Sequence, residues 1–203
     1  MPLNDSQTRR GFIAGTCALA LCVATPAQAL SSSAAEGLVA RAVADVQKAI
    51  NSGKAERTVL AEFQRIFLRY ADVQTVARAV LGQSWRNASS GGKKAYVKAF
   101  TGYLARKYGK QFRDFEGAVF TITGSRDAGR KGFLVKSVVK TTKQRAPFEV
   151  EWQVSDASGK ALIFNMFIEG VSMLTTERGE IRSLLEKSGG DVGKVAQRLD
   201  GMG

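Results

Sequence analysis

Phe148-Glu149-Val150-Glu151-Trp152-Gln153-Val154-Ser155 sets apolar and polar residues in strict turn. Extended backbone points successive side chains to opposite sides, so this alternation marks a strand with one buried face and one wet face. Phe148, Val150, Trp152 and Val154 then face a core, while Glu149, Glu151, Gln153 and Ser155 face water. The neighbouring stretches repeat the pattern. Upstream, Phe120 and Ile122 alternate with Thr121 and Thr123, residues 124–130 read as a polar turn, and Phe133, Val135 and Val139 resume the alternation. Downstream, a turn at 156–160 leads into an apolar strand over 161–168. Four sequential strands with short polar links predict an antiparallel meander with one apolar face.

On both sides of this region the period changes from two to that of a helix. Val39, Val43, Val46 and Ile50 predict a helix over 34–50, stopped by Asn51, Ser52 and Gly53. Leu60, Phe63, Phe67 and Tyr70 predict a second over 56–70, and Asp72 is placed to cap a third that ends at Leu81 before Gly82. The strongest signal follows Ser89-Ser90-Gly91-Gly92. There Tyr96, Val97, Phe100, Tyr103, Leu104, Tyr108 and Phe112 share one side, and Lys93, Lys94, Lys98, Arg106, Lys107 and Lys110 share the other. After the strands, Ile181, Leu184 and Leu185 lie on one face before Ser188-Gly189-Gly190, and Asp191 caps a last helix holding Val192, Val195 and Leu199. Helices first, strands second and helices last predict an α+β fold, a curved four-stranded antiparallel meander wrapped by helices. The aromatic stripe of the fourth helix is the expected cover for the apolar face of the sheet.

The chain has 203 residues, 44% of them hydrophobic, and a net charge of +12. Its first 29 residues read as a leader: Arg9-Arg10 within a twin-arginine pattern, an apolar run over 13–23, and a small-x-small site at Ala27-Gln28-Ala29. That run is shorter than the roughly 20 residues that span a bilayer, so a cleaved signal peptide over 1–29 and one domain over 30–203 are expected. Cys17 and Cys22, the two cysteines, both fall in the leader, and histidine is absent. Disulfides, cysteine-held metals and a Ser-His triad are thereby excluded from the domain, and no phosphate loop, dinucleotide fingerprint or zinc spacing is present. Glu149 and Glu151 share the wet face of their strand and read as a solvated edge. The basic surplus favours anionic partners, and export directs it toward membrane lipid rather than nucleic acid. Lys107, Lys110, Arg126, Arg130 and Lys131 are candidates for the mouth of a lipid pocket.

Val80-Leu81-Gly82, Trp85-Arg86 and Tyr96-Val97-Lys98-Ala99-Phe100, leading to Tyr103-Leu104 and Tyr108, resemble the pattern of the MlaC, or toluene-tolerance auxiliary, family. Ile168-Glu169-Gly170-Val171-Ser172-Met173, with Arg178 beyond it, is similar to that family's Ile-Glu-Gly-Val-Ser-Leu signature. The two motifs stand in the family's order with the meander between them, and the resemblance spans residues 39–199. The chain departs from the pattern at Phe164-Asn165-Met166-Phe167, where many members carry an acidic residue, and at Ile181, where they carry a bulky aromatic.

The resemblance implies a fold related to the NTF2-like class, with an apolar cavity between sheet and helices. It also implies a periplasmic monomer, not an enzyme, that needs no cofactor or metal. Such a protein binds a phospholipid by its acyl chains and shuttles it between an inner-membrane ABC transporter complex and an outer-membrane lipoprotein complex, a route tied to outer-membrane lipid asymmetry. The expected lining is Leu81, Phe100, Tyr103, Leu104 and Tyr108 from helices, and Phe120, Phe133, Val135, Val150, Trp152 and Phe164 from the sheet. Val171 and Met173 are expected to close one end. A hopanoid-type cargo is the alternative within this class. An enzyme on a similar cavity-containing fold is the alternative outside it, and it would need Asp or Tyr as acid and base.

The exported form is expected to begin at Leu30, which intact-mass measurement and N-terminal sequencing will show. Replacing Arg9 and Arg10 by lysine should leave the precursor in the cytoplasm, whereas continued export would remove the twin-arginine reading.

Overall fold

The computed structural model describes residues 30–111, 115–142 and 146–202. The leader with its arginine pair, both cysteines and its cleavage site lies outside the described residues, as does Phe112. Among the described residues the chain runs α1 (Ser32–Ile50), α2 (Glu56–Tyr70), α3 (Val73–Leu81), α4 (Ser84–Asn87), α5 (Ser90–Gln111), β1 (Val119–Asp127), β2 (Phe133–Lys140), β3 (Phe148–Ser155), β4 (Leu162–Ile168), β5 (Val171–Ser172), α6 (Met173–Lys187) and α7 (Val192–Asp200). The predicted helix ends are set by the side chains that mark them. The carboxylate of Asp72 accepts from Thr75 N at 3.0 Å, and that of Asp191 accepts from the backbone of Gly193 and Lys194.

The strands pair antiparallel in chain order, β1-β2-β3-β4-β5. This is an α+β fold built on a meander, with five strands where the sequence predicts four. The fifth is two residues long, too short to show a period. It forms because Glu169 and Gly170 both take positive φ, 49° and 77°, which turns the chain back so that Val171 pairs with Ile168. The first strand also runs farther than expected, to Asp127 rather than stopping before 124. A bulge between Ile122 and Gly124 shifts the register there, and polar residues that read as a turn continue the ladder. Beyond the bulge, the Ser125 hydroxyl donates to Glu36 on α1 at 2.6 Å.

A larger correction concerns what covers the sheet. Its apolar face is covered by α1, whose Val39 and Val43 pack with Val135 of β2 and Val154 of β3. The long helix α5 packs instead on α2, α3 and α7, with Tyr96, Phe100 and Tyr103 buried among Ile181, Leu184, Val195 and Leu199. The stripe of α7 packs on α5, and that of α6 packs chiefly on α3. Periodicity shows that a stripe is buried, and not against what. Among the described residues the two larger cores therefore lie between α1 and the sheet and among α3, α5, α6 and α7, with a smaller cluster of Ala118, Val139 and Val150 at the β1–β3 side.

The junction of α2 and α3 ties these cores together. Ala71 bridges to Ile163 in β4, and Asp72 N donates to the Ile163 carbonyl at 2.8 Å. On the outer face of the sheet Lys136 stands 3.7 Å from both Glu149 and Glu151, as the polar alternation of β3 requires.

The β1–β2 hairpin closes at Gly132, where φ is +75° and a Cβ would lie 2.0 Å from the Val154 carbonyl oxygen. Gly132→Ala combines a disfavoured backbone conformation with a clash against backbone, so a loss of about 3 kcal/mol is expected from urea unfolding. A loss under about 1 kcal/mol would show that the hairpin relaxes freely.

Candidate functional site

An apolar cavity of about 150 Å3 lies where the two cores meet. Helix α1 contributes Ala42, Val43 and Val46 to its wall, α2 contributes Phe63, Ile66, Phe67 and Tyr70, and α3 contributes Val73 and Val76. Leu104 and Tyr108 enter from α5, and Met173, Leu174 and Glu177 from α6. The sheet supplies Phe120, Trp152 and the run Ile163-Phe164-Asn165-Met166. That run reaches the wall because the β3–β4 register shifts beside it, between Gln153 and Val154. The volume is room for on the order of ten water-sized groups, a length of hydrocarbon chain. Leaving it unfilled by side chains costs on the order of 4 kcal/mol, which a larger residue at any of several positions would recover.

The wall stays apolar because the polar tip of each aromatic that carries one is bound to another side chain. The Tyr70 hydroxyl donates to Asp45 at 2.7 Å, and Trp152 Nε1 donates to Ser137 Oγ at 2.9 Å. Ser137, itself buried, donates onward to the Val150 carbonyl. The Tyr108 hydroxyl donates to Glu177 Oε1 at 2.6 Å. Asn165 is likewise occupied: its Oδ1 accepts from Leu174 N at 3.0 Å and it bonds with Ser172 Oγ, which pins the start of α6 to β4.

Glu177 is the one charged residue among the described lining residues. It is 2% exposed, and Lys107 Nζ meets its Oε1 at 2.7 Å while also donating to the Tyr103 hydroxyl at 2.9 Å. Burial draws the Lys107 ammonium down, but its hydrogen bonds to Glu177 and Tyr103 outweigh burial and hold it above its ordinary value. Burial, followed by the bond to Glu177, pushes Tyr108 well above the usual phenol range, and burial raises Tyr103 against the opposing effect of Lys107. For Tyr70 the bond to Asp45 leads, with burial second, in raising the hydroxyl.

The residues expected to line a pocket divide among several places. Leu104, Tyr108, Phe120, Trp152, Phe164 and Met173 are brought together around the cavity. Leu81, Phe100 and Tyr103 lie in the helical core, Phe133 and Val135 lie under α1, and Val150 packs with Ala118 and Val139. Val171 is 56% exposed on β5. Of the basic residues assigned to a mouth, Lys107 is paired with Glu177 and Arg126 stands 3.7 Å from Glu151. The α1 and α2 walls were legible as stripes but not as cavity. Glu177 had a signal, since it sits four residues after Met173 and four before Ile181 on an otherwise apolar helix face.

The family model for the MlaC protein matches residues 40–200. The chain belongs to the MlaC family. Its fold is similar to the solved structure of a phospholipid-binding protein from Ralstonia solanacearum in complex with a phospholipid, with a TM-score of 0.70 at 20% identity, covering 82% of this chain and 95% of that one. In this MlaC-family chain the Ile-Glu-Gly-Val-Ser signature is the joint between sheet and helices. Glu169-Gly170 make the β4–β5 turn, and Ser172 caps α6 by accepting from Thr175 N.

Raised tyrosine and lysine values stabilise the fold below about pH 10, where the unfolded groups titrate, and that contribution is lost as pH rises through the folded values. Denaturant midpoints are therefore expected to be flat from about pH 7 to 9 and to fall above about pH 10. In Tyr108→Phe the alkaline fall should be shallower, and equal slopes in both proteins would show that the network does not carry it.

Proposed function

We propose that this protein is a periplasmic, monomeric carrier without a reaction of its own. It takes a phospholipid by the acyl chains into the cavity between sheet and helices and shuttles it between an inner-membrane ABC transporter complex and an outer-membrane lipoprotein complex. The observation that carries this reading is the unfilled apolar cavity, whose aromatic tips are each bound to another side chain. Membership of the MlaC family supports it, as does a relative of the same fold that holds a phospholipid. No helix among the described residues is long and apolar enough to cross a membrane, which suits a protein that reaches both membranes by moving. Export through the twin-arginine leader at 1–29 and its removal place the carrier in that compartment.

The energetics explain why a carrier is needed. Exposing a tail to water costs about 0.8 kcal/mol per methylene, so two chains of roughly thirty methylenes together face a barrier of about 24 kcal/mol. A protein cavity replaces that water with hydrocarbon contacts. Because membrane and cavity are both apolar, exchange between them lies near balance, and the membrane complexes set the direction. A diacyl lipid exceeds the space the cavity offers as it stands, so loading requires the walls to part, with α2 the thinnest of them: among its residues Phe63 and Tyr70 alone are buried.

Organic extraction of the purified protein followed by mass spectrometry is expected to return a diacyl lipid near one per chain. Leu104→Trp fills the cavity from α5 and should lower bound lipid at least about fivefold while leaving the thermal transition within a few degrees of the parent. A folded variant that retains its full lipid content would sink the assignment of this cavity.

A further inference from the structure

Helices α1 and α2, which wall the cavity, also wall a charged groove on the surface. Its lining includes Asp45 and Lys48 from α1, Lys54 from the connection, and Glu62, Arg65 and Arg69 from α2. Ile66, half-buried, belongs to the lining of both the groove and the cavity. A second tie joins the two linings: Tyr70 is part of the cavity wall, and its hydroxyl donates to Asp45 of the groove at 2.7 Å. Hydrocarbon surface and charged surface therefore meet at Ile66.

The charges of the groove do not cancel, since four cations stand against two carboxylates among its described lining residues. Glu62 meets Lys54, and Asp45 accepts from Arg69 at 3.2 Å as well as from Tyr70. Lys48 and Arg65 have no carboxylate within ion-pair distance among the described residues. Lys48 stands in the last turn of α1, where a cation suits the helix dipole. Arg65 precedes the last turn of α2 and has no such reason, its Nε reaching the Ala61 carbonyl at 3.4 Å. The bond from Lys54, helped by Arg65 and Lys48, holds the Glu62 carboxyl below its ordinary value against desolvation, so these cations act on one place. A molecule that uses both groove and cavity needs an anion a few bonds from its hydrocarbon, which is the build of a phospholipid. We propose that the α1–α2 groove holds the phosphate of the carried lipid on Lys48 and Arg65, while the acyl chains pass Ile66 into the cavity. This rests on the carrier reading and fixes the orientation of its cargo. The groove also runs along α2, the wall that must part for loading.

The test equilibrates purified mature protein, stripped of lipid, with vesicles of dioleoyl phosphatidylcholine containing a minor fraction of dioleoylglycerol, the retained lipid being read by mass spectrometry. The two lipids share their chains and differ in the phosphate-bearing head group, and the vesicles carry no net charge to steer the protein. Relative to the vesicle, enrichment of phosphatidylcholine over dioleoylglycerol by about fivefold is expected at low salt, falling toward one at high salt as screening takes hold. Lipid retained in the vesicle's own ratio, or an enrichment indifferent to salt, overturns this inference alone, whereas no lipid retained from any vesicle overturns the carrier reading.

With Lys48→Gln and Arg65→Gln combined, the enrichment should fall to about one. Lys94→Gln combined with Lys98→Gln removes the same charge from exposed positions on α5 outside both linings, and should keep the parent's enrichment. An equal loss there would assign the effect to net charge and overturn the site. Calorimetric titration of the stripped protein with glycerophosphocholine, the same head group without chains, is expected to show no saturation below about 1 mM. Saturation in the micromolar range would make the groove a site for a soluble phosphate ester and overturn its assignment to a lipid. The unaltered protein and its salt dependence decide the matter even if a variant fails to fold.

Discussion

A cavity wall inside a protein stays dry only if every polar tip that reaches it is bound from behind. Three aromatic side chains with such tips face this cavity, and each is held by a different part of the molecule. Tyr70 is tied to Asp45 on α1, Trp152 to Ser137 on the neighbouring strand, and Tyr108 to Glu177 on α6. The rings can then serve as hydrocarbon while their heteroatoms do structural work among the helices and strands. Loosening any one of these ties turns a donor toward the interior and admits water, so the apolar character of the space depends on the partners of these three side chains.

Other bonds join the two larger cores. The sheet and α1 bury one set of residues, and α3, α5, α6 and α7 bury another. Between them run the Ala71–Asp72 junction on β4 and the pinning of α6 through Asn165 and Ser172. The signature at 168–173 is therefore a joint between sheet and helices. Its turn reverses the chain, its serine caps a helix, and that helix carries Met173, Leu174 and Glu177 to the wall.

The meander and most helix ends were legible in the sequence, because alternation and caps are local: the pattern of β3 and the carboxylates of Asp72 and Asp191 needed no tertiary knowledge. The pairing of faces was not. Tyr96, Phe100 and Tyr103 read as a cover for the sheet, yet they bury against α6 and α7, and the sheet meets α1. A stripe reports that it is buried and carries no record of its partner, so a lining drawn from stripes mixes solid core with cavity wall. Leu104 and Tyr108 differ from Phe100 only by their position along α5. The fifth strand and the extension of β1 escaped for another reason: each depends on a backbone irregularity, at 169–170 and at 122–124, that leaves almost no compositional trace.

The bulge in β1 bears on how the molecule behaves among its own copies. An open sheet invites a second sheet to add to its rim, and the rim strand here also exposes Val119. On the β4 side, the backbone groups are partly taken by Ala71–Asp72 and by β5. On the β1 side, the kink after Ile122 interrupts the straight run of donors and acceptors that a templating strand would copy. At high concentration the protein is thus discouraged from stacking into fibrils by an irregularity of a single residue.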